Sequence, residues 1–435
     1  MPRGYARYVL AIMVAINFLN FADRWVASAA APLIQAEFHL DDFRVGLLGS
    51  AFLLVYGVAA LPFGIWADRG LRKVVIGVGV LLWSCATVVS GLVANYGQLL
   101  ASRTFLGVGE AGYYPAGNSL LGDYFPKESR GRAMSIWNAG SALGIAVGFA
   151  GGGFVASAYG WRSAFFFAAV PGLVLALAAF TLREPLRGAA ERIGPQLQQT
   201  RQASLEGFRE LARIRTLRAT ILARTVLFFV LASAAYWLPT VLGRRFGMSV
   251  GAAGLLSGAV LVLGALAGTL LGGWAADRGR HGRLAERAPL VVGIAGFVGG
   301  AALMPVALLA PLLAGPVPIF VPAFFLTVVC VYLYAGPYDA ITQNVVSPGL
   351  RASAMTLTLL VAHLFGDSYA PAAIGLLSDR LGSLPLALLV TSVPLLLLAA
   401  ALAATGLSSI GHDAAAMEER WAGASLEREG GWPPT

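Results

Sequence analysis

Asp23 and Glu110 are carboxylic acids set inside stretches that are otherwise almost wholly apolar. On a helix rising ~1.5 Å per residue, Asp23 stands about 24 Å from Arg7 and Glu110 about 18 Å from Gln98. In a hydrocarbon core about 30 Å thick, both land in the middle third. A charge at that depth costs roughly 2.5–3.5 kcal/mol on insertion scales, so its presence points to function by default. Desolvation favours the neutral form of a carboxyl. Two such acids in one bundle are therefore suited to taking up and releasing protons, with a proton gradient as the energy source. The alternative is that each acid only balances Arg24 or Arg103 in a fixed ion pair.

Arg103, Gly107, Glu110 and Tyr114 follow helical spacing and share one face. Arg103 can compensate the ionised Glu110, or it can bind an anionic head group through its bidentate fork. Competition between those partners would couple proton to substrate. Arg24 can do the same beside Asp23, although adjacent helix positions diverge by about 100° and it can face another neighbour. His363, Asp367 and Pro371 recur every four residues. The first two form a possible second titratable element, because imidazole titrates near neutral pH. Alternatively, Asp367 caps a broken helix or pairs with loop arginines. Asp339, between Pro337 and Gln343-Asn344, is a further cavity-lining candidate, as is Tyr114. The expected substrate contacts are thus Arg24, Arg103, Tyr114, Asp339, His363 and Asp367.

Other chemistries find little support. Gly107-Val-Gly109-Glu110-Ala111-Gly112 matches GxGxxG, but no strand precedes it, so close helix contact and, with Pro115, local bending explain it better than a dinucleotide. The two cysteines and four histidines are scattered, with no metal-ligand spacing. No nucleophile, base and metal converge as an enzyme requires. The expectation is no enzyme, no metal and no cofactor.

The elements that must position these residues are membrane spans. The chain has 435 residues, of which 57% are hydrophobic and only 12% charged, against about 25% charged in a soluble domain. Twelve spans are predicted, near residues 8–36, 44–67, 74–94, 98–125, 132–158, 163–182, 220–243, 249–274, 288–310, 318–346, 352–377 and 383–406. With the N-terminus in the cytoplasm, only five Lys/Arg fall outside (Arg44, Arg162, Arg244, Arg245, Arg380), and three (Arg24, Arg103, Arg224) lie within spans. That asymmetry satisfies the positive-inside rule with both termini cytoplasmic. Most of the +9 charge lies in those short inner loops, which argues against nucleic acid as partner.

The charged segment 183–219 separates a six-span bundle, 1–182, from a second, 220–406, and 407–435 forms a cytoplasmic tail. The halves echo each other. Gly64-Ile-Trp-Ala-Asp68-Arg69-Gly70 recurs as Gly273-Trp-Ala-Ala-Asp277-Arg278-Gly279, and Pro115 and Pro126 recur as Pro337 and Pro348. Such duplication is the sequence mark of an alternating-access transporter. The fold class expected is an all-α membrane protein with twelve transmembrane helices in two pseudo-symmetric bundles.

The segment GIWADRGLRK (64–73) resembles the signature loop of the major facilitator superfamily. Arg103–Trp137, Asn344–Leu357 and His363–Asp379 resemble its Spinster-like branch. The resemblance implies a proton-coupled secondary transporter, working as a monomer in a bacterial-type inner membrane. The implied cargo is an amphipathic anionic lipid, lysophospholipid or sphingolipid-like, its tail against the apolar second half. A small organic-anion:proton symporter, or a non-transporting sensor on the same fold, are the alternatives. The resemblance also implies acids at positions 23 and 110, and a gate in which the Asp68 carboxylate bonds across to the other bundle. Asp277 is its counterpart in the second half. Arg69 and Arg72 accompany Asp68 at that mouth, Arg72 suiting a plain positive-inside anchor, and Asp123 with Arg130 and Arg132 belongs to the same network. The glycines 140, 144, 148 and 152 form a ridge similar to that of drug:proton antiporters, with Phe149 where those have proline.

Overall fold

In the computed structural model, residues 3–186, 205–282, 284–309, 317–347 and 350–417 are described, and their regular structure is helical throughout. The helices are α1 (Arg3–Phe38), α2 (Asp42–Arg69), α3 (Arg72–Leu92), α4 (Tyr96–Ala111), α5 (Tyr113–Tyr124), α6 (Lys127–Tyr159), α7 (Trp161–Thr181) and α8 (Leu205–Arg213). They continue with α9 (Arg215–Phe246), α10 (Val250–Arg280), α11 (Ala288–Leu309), α12 (Val317–Tyr332), α13 (Ala335–Val345), α14 (Arg351–Ala362), α15 (Ala370–Leu381) and α16 (Leu384–Ala404). A π-helical turn, His363–Asp367, joins α14 to α15.

Among the described residues, eleven helical stretches are long and apolar enough to cross a membrane. The missing one is the span expected at 98–125, which is broken into α4 and α5 at Gly112. Its two halves are each too short to cross alone, since a crossing needs about 20 residues. Together they complete the twelve. Local chemistry sets the ends: the Asp41 and Asn95 side chains accept from Arg44 N and Gln98 N and cap α2 and α4. Gly382, at φ +64°, ends α15 in the left-handed conformation that glycine adopts without strain.

Contacts group the chain into two units. The first comprises Met1–Gln198, Leu231–Val262 and His363–Leu388. Its core holds Met13, Ile16, Trp83, Leu106, Tyr113 and Trp137, all nearly or fully buried. The second comprises Gln199–Val230, Leu263–Ala362 and Leu389–Thr435. There Phe297, Tyr334 and Tyr338 meet ring to ring at 5.6–6.0 Å.

Candidate functional site

The first unit carries its charged centre on two helices, α1 with Asp23 and Arg24 and α4 with Arg103 and Glu110. Glycines seat each of those helices closely against its neighbours, α1 against α6 and α4 against α2 and α3. A methyl group at Gly144 would lie 2.3 Å from the Phe18 carbonyl oxygen, and one at Gly148 would lie 2.4 Å from that of Ala22. The glycine ridge of α6 thereby seats the turn of α1 that bears Asp23. Phe149, beside that ridge, is fully buried and stacks on Trp25. On α4, a methyl at Gly107 would meet the Phe52 oxygen at 2.6 Å, and one at Gly109 the Trp83 nitrogen at 2.5 Å. The GxGxxG run is a packing surface for α2 and α3.

The four charges pair crosswise. Arg24 Nε donates to Glu110 Oε2 at 2.6 Å. Arg103 Nη1 lies 3.4 Å from Asp23 Oδ1, and the Thr87 hydroxyl donates to Asp23 Oδ2. The expectation that Arg103 compensates Glu110 is corrected here: those two share a helix face, but the acid nearest each arginine comes from the other helix. Asp23, Arg103 and Glu110 are buried to within 2%. Glu110 Oε1 and Arg103 Nε have no hydrogen-bond partner among the described residues. Aromatic rings supply the rest of the surroundings. The Arg24 guanidinium lies 5.1 Å from the Phe21 ring, 5.4 Å from Phe52 and 4.6 Å from Tyr56. Arg103 lies 5.9 Å from Phe52 and 5.6 Å from Phe165.

With both acids ionised the group of four is neutral. One added proton leaves a net positive charge in a medium of low dielectric, where an uncompensated charge is costly. An anion arriving with that proton restores neutrality. A half-open apolar groove of about 460 Å³ runs between α1, α6 and α7, lined by Ala22, Val26, Val147, Pro171 and the exposed Phe167 and Val174; none of the four charged side chains lines it.

His363 and Asp367 come together as a pair, with Nδ1 2.7 Å from Oδ2, inside the π turn. The His363 ring meets Tyr56 edge to face at 6.0 Å, which brings it to the rim of the Arg24 surroundings. Tyr114 stacks on Trp137 at 4.8 Å. In the second unit, Asp339 accepts from Arg224 Nη2 at 2.8 Å, and Arg224 lies over Tyr334. Sequence reasoning left Arg224 unassigned, although a lone arginine within a span was itself the signal.

The predicted gate residues separate into different roles. Arg72 is wholly buried and paired, so it is more than a plain positive-inside anchor. Its guanidinium donates to Glu184 at 2.7 Å, to the Ser119 oxygens, to Pro185 O at 3.1 Å and to Asp123. Asp123 is thus tied to α3 rather than serving only Arg130 and Arg132. Arg130 Nε donates to Phe125 O at 3.3 Å, and Arg132, Arg69 and Asp277 are exposed. The side chain of Asp68 and residue Pro348 lie outside the described residues.

A cluster that sequence reasoning missed lies at the start of α2. The Asp42 carboxylate accepts from Arg244 Nη1 at 2.8 Å, from Ser378 at 2.6 Å and from Gln35 at 2.8 Å. Asp379 in turn accepts from the backbone nitrogens of Asp42 and Phe43, both at 2.9 Å. These residues are far apart in sequence, and the one hint was that several are charges just beyond span ends.

The Major Facilitator Superfamily model matches residues 13–371. Protein spinster homolog 1 of Homo sapiens is 30% identical over 415 residues, covering 87% of this chain and 74% of that protein. The sphingosine-1-phosphate transporter SPNS2 of Danio rerio is 28% identical over 383 residues, covering 84% and 74% respectively. The crystal structure of a bacterial homologue of the human lysosomal transporter Spinster, inward-facing and unoccupied, superposes with a TM-score of 0.82. It shares 27% identity and covers 95% of this chain and 99% of that one.

Proposed function

This chain belongs to the Major Facilitator Superfamily, in its Spinster-like branch, and on that premise we propose that it is a proton-coupled transporter of an amphipathic anionic lipid. The observation that carries the reading is the crosswise pairing of two buried acids with two arginines among aromatic rings. Protonating Glu110 releases Arg24 from its acid, and protonating Asp23 does the same for Arg103. Each freed guanidinium is then the natural partner of an anionic head group. Binding of the anion and binding of the proton favour each other, which is the linkage that coupling their transport requires. No cofactor takes part beyond the proton gradient.

The lipid cargo draws support from the likeness to a sphingosine-1-phosphate transporter. The chain acts as a monomer in the inner membrane, with both termini in the cytoplasm.

The test is the change of internal pH in proteoliposomes of wild type, Asp23→Asn and Glu110→Gln, with an anionic lysophospholipid or a sugar acid added. Lipid-driven proton movement in wild type, lost in both variants, is the expected result. A response to the sugar acid alone would make the protein an organic-anion symporter. Equal responses in all three proteins would make the two acids structural.

A further inference from the structure

Tyr56 touches two charged pairs at once. On one side its ring lies 4.6 Å from the Arg24 guanidinium, and on the other it meets the His363 ring at 6.0 Å and 83°. Arg24 binds Glu110, and His363 binds Asp367. The four side chains and the ring between them come from α1, α2, α4 and the π turn. A π turn inside a helix is a frequent mark of a functional site.

The ring's position is set by backbone packing. Gly107 stands three residues before Glu110, and a methyl there would lie 2.6 Å from Phe52 O and 2.9 Å from Tyr56 N. Only because residue 107 is glycine can the turn of α2 bearing Phe52 and Tyr56 lie flat on the helix that carries Glu110. Gly107 therefore brings Phe52 and Tyr56 up to Arg24, and with Phe21 from the arginine's own helix they form an aromatic cage. A cation over an aromatic face gains roughly 0.5–2 kcal/mol, the more so when desolvated. Such a cage holds the guanidinium in place while Glu110 exchanges its proton.

We propose that Tyr56 is a positioning residue that holds Arg24 against Glu110 and links that pair to His363 and Asp367. The proposal rests on the reading of Glu110 as a proton site. The charged and titratable groups facing the Arg24–Glu110 pair are Asp23 from α1 and Arg103 from α4. Those facing Tyr56 are Arg24, His363 and Tyr114. A carboxylate that loses its counter-cation holds its proton more readily, so loss of the ring shifts the titration of Glu110 in that sense.

The experiment is a pH titration of the full-length protein in proteoliposomes, followed by the infrared band of the protonated carboxyl group. The band is assigned to Glu110 by its absence in Glu110→Gln. Tyr56→Leu raises the midpoint by about 0.4–1.5 pH units, the size of a cation–π contact. Tyr56→Phe, which keeps the ring but removes the hydroxyl that bonds Arg24, moves it by less than Tyr56→Leu does. His363→Gln also moves the midpoint, and this effect disappears in the Tyr56→Leu background, as coupling through the ring requires. A Glu110 band that titrates but ignores Tyr56→Leu overturns the proposal, and so does a His363→Gln effect that simply adds to that of Tyr56→Leu. A Glu110 band that does not titrate between about pH 5 and 9 overturns the proton-site reading itself.

Discussion

Gly375→Ala tests whether the contact between α2 and α15 sets the equilibrium of their separation. The added methyl would lie 2.2 Å from Asp42 O, where ordinary contact begins at 3.4 Å, so α15 must retreat by about 1.2 Å. Asp379 sits one helical turn further along the same face. Its two 2.9 Å bonds to the backbone of α2 would stretch to about 4 Å, beyond hydrogen-bond range. The Ser378 bond to Asp42, at 2.6 Å, would lengthen likewise. Asp379 is exposed, so its two bonds together contribute about 1 kcal/mol, and the overpacked contact adds about 1–2 more. A total near 2–3 kcal/mol corresponds to a shift of about 30- to 150-fold in the equilibrium between closed and parted helices. The assay is the rate of thiol labelling at Ser50→Cys, since Ser50 is buried and its Oγ accepts from Ala372 N at 3.0 Å. Cys85 and Cys330 are first replaced by serine. Labelling rises by one to two orders of magnitude, and Gly122→Ala, where a methyl meets nothing within 4 Å, leaves it unchanged. Parental labelling in a folded Gly375→Ala protein would show that close approach is not what holds these helices together.

Two further outcomes follow from buried charge. Arg72→Ala leaves Asp123 and Glu184 without their shared cation, costs about 3–5 kcal/mol, and sharply lowers the melting temperature in detergent; Arg72→Lys recovers only part, because an ammonium cannot reproduce the guanidinium fork. Melting within a degree of wild type would refute the clamp. Asp413 accepts from Thr216 N at 2.8 Å, so the tail caps α9 with a negative charge at its positive end. Asp413→Ala therefore costs about 1 kcal/mol, read as a drop of a few degrees in the same melt, and an unchanged melt would mean the tail is not docked there.

Much of this protein is legible in its sequence because the membrane makes composition decisive. An apolar run of the right length has few alternatives to a spanning helix, since its backbone groups must be satisfied internally. For the same reason a charge inside such a run is conspicuous, and Asp23, Arg24, Arg103 and Glu110 stand out by their apolar neighbours alone. The break at Gly112 is less visible, because the glycine and proline around it are equally compatible with a continuous helix.

Which charge pairs with which was decided only by tertiary structure. Helical spacing puts Arg103 and Glu110 on one face, yet their partners lie on α1, 80 and 86 positions away in sequence. The distance between α1 and α4, and the turn of one against the other, depend on where glycines let backbones touch; no spacing rule along a single helix encodes that. The same holds for Arg72, which its place in the loop reads as a positive-inside anchor and packing buries beneath Asp123 and Glu184. It holds as well for the cluster at Asp42, where Arg244, Ser378 and Asp379 arrive from helices more than 200 positions distant. Sequence specifies the solvent each residue must meet, and packing alone specifies its partner.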